Sequence, residues 1–193
     1  MNAPFHKGQT EAQPDAPRSM PSELEALAPP PLLLPGESLQ RYQLMRQAIL
    51  IELAPRSAIE WLLAIDVVEL SWEIQRYRLL RQKLLERYRQ HAIEYSLLQI
   101  DLAGIPPDFA DQASEHIRHN ARIWRIDPEA ANEIEARLLT CGFDEHSINV
   151  EVYIQAREVF LVFEALITSA HSRRMSLLRE IERQRYPARL RRG

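Results

Sequence analysis

Two stretches of the chain, residues 57–98 and 149–185, contain neither proline nor glycine and have the composition of helices. Each is about forty residues long, whereas helices in compact domains usually run for about 8–20 residues. At 1.5 Å per residue, each would extend for about 60 Å, which is long for a domain made from 193 residues. The predicted skeleton is therefore a pair of long helices, part of which projects or binds something.

Each long stretch carries an apolar seam with the three- and four-residue spacing of a coiled coil. In the first stretch the seam consists of Leu63, Val67, Leu70, Ile74, Tyr77, Leu84, Tyr88, Tyr95 and Leu98. In the last stretch it consists of Tyr153, Ala156, Phe160, Phe163, Ile167, Ala170, Leu177 and Ile181.

A second apolar stripe follows only the first half of each long stretch. Its members are Trp61, Ile65, Val68, Trp72 and Leu79 in the one and Val152, Val159, Val162 and Leu166 in the other. We therefore expect the first half of each helix to be buried on two sides and the second half on one. The earlier helix is then expected to leave the core as one arm of a helical hairpin.

The distribution of charge predicts that the two long helices pack antiparallel. Acidic side chains occupy the first half of each stretch and arginines the second half, so antiparallel pairing brings unlike charges together. In that register the expected neighbours are Leu84 with Phe163, Leu70 with Leu177, and Tyr88 with Phe160. Each exposed ion pair contributes only a few tenths of a kcal/mol, so charge selects the orientation more than it stabilises the pair.

Shorter helices are predicted around the long pair. One begins at about residue 37 and ends by Leu53, because Pro55 disfavours helical geometry in the residue before it. Ser57 and Glu60 have the spacing of a capping box, which marks the start of the first long helix. Further on, helices are predicted from about residue 108 to 124 and from residue 128 to 141, the latter between Asp127-Pro128 and Gly142.

These elements predict an all-α protein of about five helices, built on a long antiparallel helical pair. Residues 1–35 are rich in proline and alanine and are expected to be a disordered extension. Residues 36–186 are expected to form a single helical domain. The last helix is expected to end before Pro187, leaving residues 187–193 as a basic tail.

The composition narrows the class of protein. The formal net charge is −3, so no overall field favours nucleic acid or an anionic membrane. Cys141 is the one cysteine, which excludes an intramolecular disulfide and fits a reducing compartment. No signal peptide or membrane-spanning run is recognised, and we expect a cytoplasmic protein without a membrane partner.

No residue pattern typical of catalysis was found, and we predict a protein that is not an enzyme and has no cofactor. The carboxylates are spread over helices at surface spacing rather than paired. His116 and His119 share a helix face, and Cys141 and His146 share a loop, but metal binding needs three or four converging ligands. We therefore predict no metal site, and we expect Cys141 to be a small buried residue.

The charged end of the last helix is a candidate phosphate-binding site. Its arginines outnumber the nearby acids: Arg183, Arg185, Arg189, Arg191 and Arg192. Cations in a last helical turn are favoured by the helix dipole, which accounts for Arg183 and Arg185 but not for the residues beyond Pro187. Those residues are expected to contact phosphate, an acidic partner or only solvent.

The narrow parts of the two seams are candidate partner-binding surfaces, because one helix pair leaves apolar side chains there incompletely covered. The candidate residues are Leu84, Tyr88, Tyr95, Leu177 and Ile181. A second copy of the chain is the simplest partner, since two such hairpins form a four-helix bundle. The function favoured is therefore a helical interaction or assembly protein, and the alternative is association with nucleic acid through the C-terminal arginines.

Two segments resemble a widespread group of uncharacterised bacterial proteins. Residues 33–86 contain a Leu-Pro-Gly-Glu start, the turn "ELAP" and a tryptophan followed by an arginine-rich helix, and residues 164–185 read "EALITSAHSRRMSLLREIERQR". The resemblance implies the same helical layout, and the group has no settled activity. Many of its members carry a basic segment before the Leu-Pro-Gly-Glu motif, which resembles a nucleic-acid-binding element. Here residues 1–31 contain only Lys7 and Arg18 as cations, which weakens a DNA-binding role implied by the group.

Overall fold

The computed structural model describes the backbone of residues 20–190 and their side chains, except those of residues 27 and 187–190. These described residues form six α-helices: α1 (Ser22–Leu27), α2 (Leu39–Leu53), α3 (Ala58–Asp101), α4 (Ala110–Ile126), α5 (Pro128–Thr140) and α6 (Glu145–Leu190). A turn of 3-10 helix, Pro107–Phe109, precedes α4. Residues 20–190 contain no strand. The all-α class and the long helix pair, α3 with α6, are confirmed.

The two long helices are unbroken, with 44 residues in α3 and 46 in α6. The predicted capping box begins α3: the Ser57 Oγ accepts the amide of Glu60 at 3.2 Å, and the Glu60 carboxylate accepts the amide of Arg56 at 3.0 Å. Asp144 caps α6 by accepting the amide of Ser147 at 2.7 Å. This cap explains why α6 begins before residue 149, where the pattern placed its start.

The prediction that the last helix ends before Pro187 is wrong. α6 remains helical through Pro187 to Leu190. Proline holds φ near −65°, a helical value, so the backbone can continue past it with the loss of one hydrogen bond to the carbonyl of Arg183. Residues 191–193 of the predicted basic tail lie outside the described residues.

Part of the predicted disordered extension has a defined structure. Residues 20–35 include α1, and Leu33 packs against the buried cluster of Tyr42, Val68 and Trp72. Leu32 points away, with 88% of its surface exposed. Residues 1–19, with the rest of that prediction, lie outside the described residues.

The chain divides into two compact units. Among the described residues, unit 1 consists of residues 20–72 and 173–190, and unit 2 consists of residues 73–172. Both long helices contribute to both units, α3 with its first part to unit 1 and α6 with its first part to unit 2. Each unit is described by itself below.

The core of unit 1 lies between α2 and the start of α3. The rings of Tyr42 and Trp72 meet edge to face, with centroids 5.5 Å apart. Burial raises the pKa of the Tyr42 phenol, so the group stays protonated. Arg185 of α6 donates to the carboxylate of Glu60 at 2.9 Å, and Arg174 donates to Ser71 at 3.4 Å. Glu60 precedes Ser71 along α3, whereas the partner of Glu60, Arg185, follows the partner of Ser71, Arg174, along α6. This reversed order confirms the antiparallel orientation in this unit.

The core of unit 2 is built from α3, α4, α5 and the start of α6. Its buried residues are Ala92, Ile93, Leu97, Ile117, Ala121, Leu138, Ile148 and Val152. Arg81 is ion-paired with Glu164 and lies 5.5 Å above the Phe160 ring, while Arg89, further along α3, pairs with Glu145 at the start of α6. The two helices are therefore antiparallel in unit 2 as well.

The expectation that the second half of α3 is covered on one side only is wrong. Ala92, Ile93, Ser96 and Leu97 are all almost completely buried. Ala92 and Ser96 are too small to register as members of a seam, yet small residues let neighbouring helices approach closely. This part of α3 therefore lies in the core of unit 2 rather than in a projecting arm.

Candidate interaction face and candidate cavity

The start of α6 presents apolar side chains to solvent. Val150, Ile154 and Leu161 are 59%, 62% and 59% exposed, and the small Ala165 is exposed beside them. These four residues share one side of the helix, because positions four, eleven and fifteen apart return to nearly the same angle. We call them the outer α6 face.

The opposite side of the same segment is in the core of the protein. Val152 and Ala156 are buried, and Phe160 and Phe163 are partly buried. The expected second buried stripe is only partly present, since Val152 is buried but Val162 is 57% exposed. The covered side is that of the predicted seam, and the prediction of a second buried side is wrong, because helical periodicity identifies an apolar side without identifying what packs on it.

The start of α6 exposes several large apolar side chains on one side of the helix. The largest contiguous apolar patches on monomeric proteins measure roughly 300–600 Å², and such patches are often functional. The sequence signal was that apolar residues between 150 and 163 occupy more than one side of α6, so that they extend beyond the buried side of Val152 and Ala156.

The five residues predicted to bind a partner differ in their exposure, and partner binding by them stays a prediction. Ile181 is buried. Leu84, Tyr88 and Leu177 are partly buried, and Tyr88 packs against the core of unit 2. Tyr95 is 45% exposed and alone retains the accessibility that the prediction requires.

The arginines predicted to bind phosphate are partly engaged inside the protein. Arg183 donates twice to Glu180, at 2.9 Å each, which lowers the pKa of that carboxyl and raises the pKa of the guanidinium. Arg185 binds Glu60 and the carbonyl oxygens of Leu53 and Ala54. The side chain of Arg189 and the whole of Arg191 and Arg192 lie outside the described residues. Phosphate binding by this cluster stays a prediction.

A cavity of about 380 Å³ lies within unit 2, among α3, α5 and the start of α6. Its apolar lining comes from the core, with Ile93, Leu138 and Ile148 almost fully buried and Phe143 partly buried. Sequence reasoning missed it, because the cavity depends on how the turn between α5 and α6 folds back on α3.

Charged side chains surround this apolar lining. Arg89 lies 3.5 Å from a carboxylate oxygen of Glu145 and 4.0 Å from one of Glu135. Asp144 also lines the cavity, and its pKa is lowered because the hydroxyl and amide of Ser147 donate to it. The Nε of Arg89 is buried and has no acceptor among the described residues. The cavity thus combines an apolar pocket with one guanidinium and three carboxylates.

The predicted absence of a metal site rested on four residues. His116 and His119 lie on the exposed side of α4, beside Arg118 and Arg122. Within residues 20–190, no group of three His, Cys, Asp or Glu side chains is arranged to hold a metal ion. Cys141 is exposed, so the prediction that it is buried is wrong. It follows the last residue of α5, where the chain turns out of the helix and Leu138 takes the core position.

Comparisons of this chain with protein-family models, with curated proteins and with solved structures found no match. None of the helices in the described part of the chain has the length and apolar character needed to cross a membrane.

Proposed function

We propose that this protein is a helical interaction protein that forms a homodimer through the outer α6 face. The observation that supports the proposal is the exposure of Val150, Ile154 and Leu161 on the side of α6 opposite its core contacts. Removing such side chains from water is the main driving force of protein association.

The spacing of the outer α6 face suits a contact between identical copies. Its members lie at positions 150, 154, 161 and 165, an order with the same intervals in both directions along the helix. In an antiparallel two-fold pairing, Ile154 packs against Leu161 of the second copy and Val150 against its Ala165. A two-fold interface requires this self-complementarity.

The face is small for a stable complex. Stable complexes usually bury about 800 Å² per partner, with roughly 20–30 residues on each side, whereas the outer α6 face offers four apolar side chains. We therefore expect a weak, reversible dimer.

The direct test is sedimentation equilibrium of the full chain and of Ile154→Glu. The native chain is expected to dimerise, and the variant is expected to be monomeric, because a carboxylate would be buried without a partner. The matched control is Ile59→Glu, since Ile59 is a helical isoleucine with 59% exposure outside this face. Circular dichroism checks that both variants remain helical. A native chain that is monomeric at millimolar concentration, or equal weakening by both variants, would contradict the proposal.

The proposed pairing is tested by cross-linking. In a Cys141→Ser background, Ile154→Cys and Leu161→Cys chains are mixed and oxidised gently. The mixture is expected to give a cross-linked dimer faster than either chain alone, because the two positions face each other only between different variants. Equal rates in all three samples would contradict the antiparallel register while leaving dimerisation itself to the sedimentation experiment.

A further inference from the structure

We propose that the cavity in unit 2 binds a free apolar α-amino acid such as leucine or phenylalanine. The proposal is independent of the dimer, because all of its lining residues belong to one copy. At about 380 Å³ the cavity is near the lower end of the range for small-molecule sites, about 300–1,000 Å³, which favours a ligand of this size over a nucleotide.

The apolar lining selects the side chain of the ligand. Ile93, Leu138 and Ile148 present aliphatic carbon, and Phe143 adds an aromatic ring. A branched or aromatic side chain placed here would be removed from water against well-packed partners, whereas a polar side chain would lose its hydrogen bonds to water.

The charges select the other end of the ligand. The Nη2 of Arg89 lies 3.5 Å from Glu145 and 4.0 Å from Glu135, which is longer than the roughly 2.7–2.9 Å of a charge-assisted hydrogen bond. A ligand carboxylate in the cavity could approach this guanidinium more closely than either acid does. Glu135, Asp144 and Glu145 outnumber the single guanidinium, so an anion alone would be repelled. A ligand that carries an ammonium as well as a carboxylate satisfies both conditions.

Titration calorimetry of the full-length protein with L-leucine and L-phenylalanine tests the proposal. One amino acid is expected to bind per chain. Isocaproate, which lacks the ammonium of leucine, and isoamylamine, which lacks its carboxylate, are each expected to bind at least tenfold more weakly. No heat with either amino acid at millimolar concentration would overturn the proposal, and so would equal binding of isocaproate or isoamylamine.

Two variants locate the site. Ala136→Trp fills the cavity with an indole ring and is expected to abolish binding, whereas Ala48→Trp, at an exposed helical alanine in unit 1, is expected to leave it unchanged. Glu145→Gln removes one exposed carboxylate and is expected to weaken binding about tenfold, since hydrogen bonds between charged groups are the stronger kind. Circular dichroism verifies the fold of each variant. Binding that survives both Ala136→Trp and Glu145→Gln would place the ligand elsewhere and overturn the assignment.

Discussion

The two halves of α6 share an inner side and differ on the outer one. In unit 2 the outward positions include Leu161 and Ala165. Five turns later, in unit 1, the same angular positions hold Arg179 and Arg183, both exposed. Inward positions are apolar and buried in both halves, for example Ala156 and Ile181.

This difference shows that a binding partner is inferred from the outer side of a long amphipathic helix and not from its inner side. An inner seam is needed wherever a helix packs on its own chain, so its presence says little about function. A charged outer side is well solvated by water. Exposure of an outer side made of valine, isoleucine and leucine is unfavourable, because burying these side chains would lower the free energy. The first half of α6 is therefore the half from which we infer a partner.

The largest expected effect is the difference in the free energy of unfolding between a variant of a buried leucine and a variant of an exposed leucine in unit 2. Leu97 is completely buried, so Leu97→Ala is expected to lower the free energy of unfolding by about 3 kcal/mol through lost burial and a new cavity. Leu161→Ala is expected to leave that free energy within about 0.5 kcal/mol, as for a surface position, while weakening the dimer several-fold. Urea denaturation at one fixed, low protein concentration and sedimentation measure the two quantities. A large loss of monomer stability in Leu161→Ala would show that the outer leucine belongs to the fold.

The second prediction concerns the arginines in the second half of α6. Arg185→Ala leaves the nearly buried carboxylate of Glu60 without its partner, and we expect a loss of about 3 kcal/mol in the free energy of unfolding. Arg183→Ala removes a guanidinium that is paired with Glu180 in full contact with water, and no measurable loss is expected. Thermal or urea denaturation compares the two variants. Equal stability of both would mean that the Glu60 pair is as well solvated as the exposed one.

Much of the fold could be predicted because its determinants are local in the sequence. Ser57, Glu60 and Asp127 mark helix starts through their own capping geometry, and α3 and α6 contain no breaker before Pro187. The antiparallel orientation followed from the segregation of acids and arginines along each helix, and Arg81 with Glu164 is the kind of pair that this segregation predicts.

The burial of particular sides could not be predicted because it depends on where other helices pack. Ala92 and Ser96 are buried by residues distant in the chain, and nothing next to them in the sequence signals it. Ile154 and Ile181 are equally apolar, yet one is exposed and the other buried. The candidate cavity depends on the turn at Phe143 and on Arg89 more than fifty residues earlier, so no sequence motif marks it.

The smallest expected effect tests the two-fold geometry itself. The axis of the proposed dimer passes between residues 157 and 158, and a two-fold axis keeps each flank of α6 beside the same flank of the second copy. Glu158 therefore lies next to Glu158 of the second copy, where like charges repel by a few tenths of a kcal/mol. Glu158→Gln is expected to tighten the dimer about twofold at low salt, and this gain is expected to disappear at high salt, where the charges are screened. A variant that weakens the dimer would show that Glu158 interacts with a cation of the second copy, such as Arg157, more strongly than with the second Glu158, and would contradict this placement.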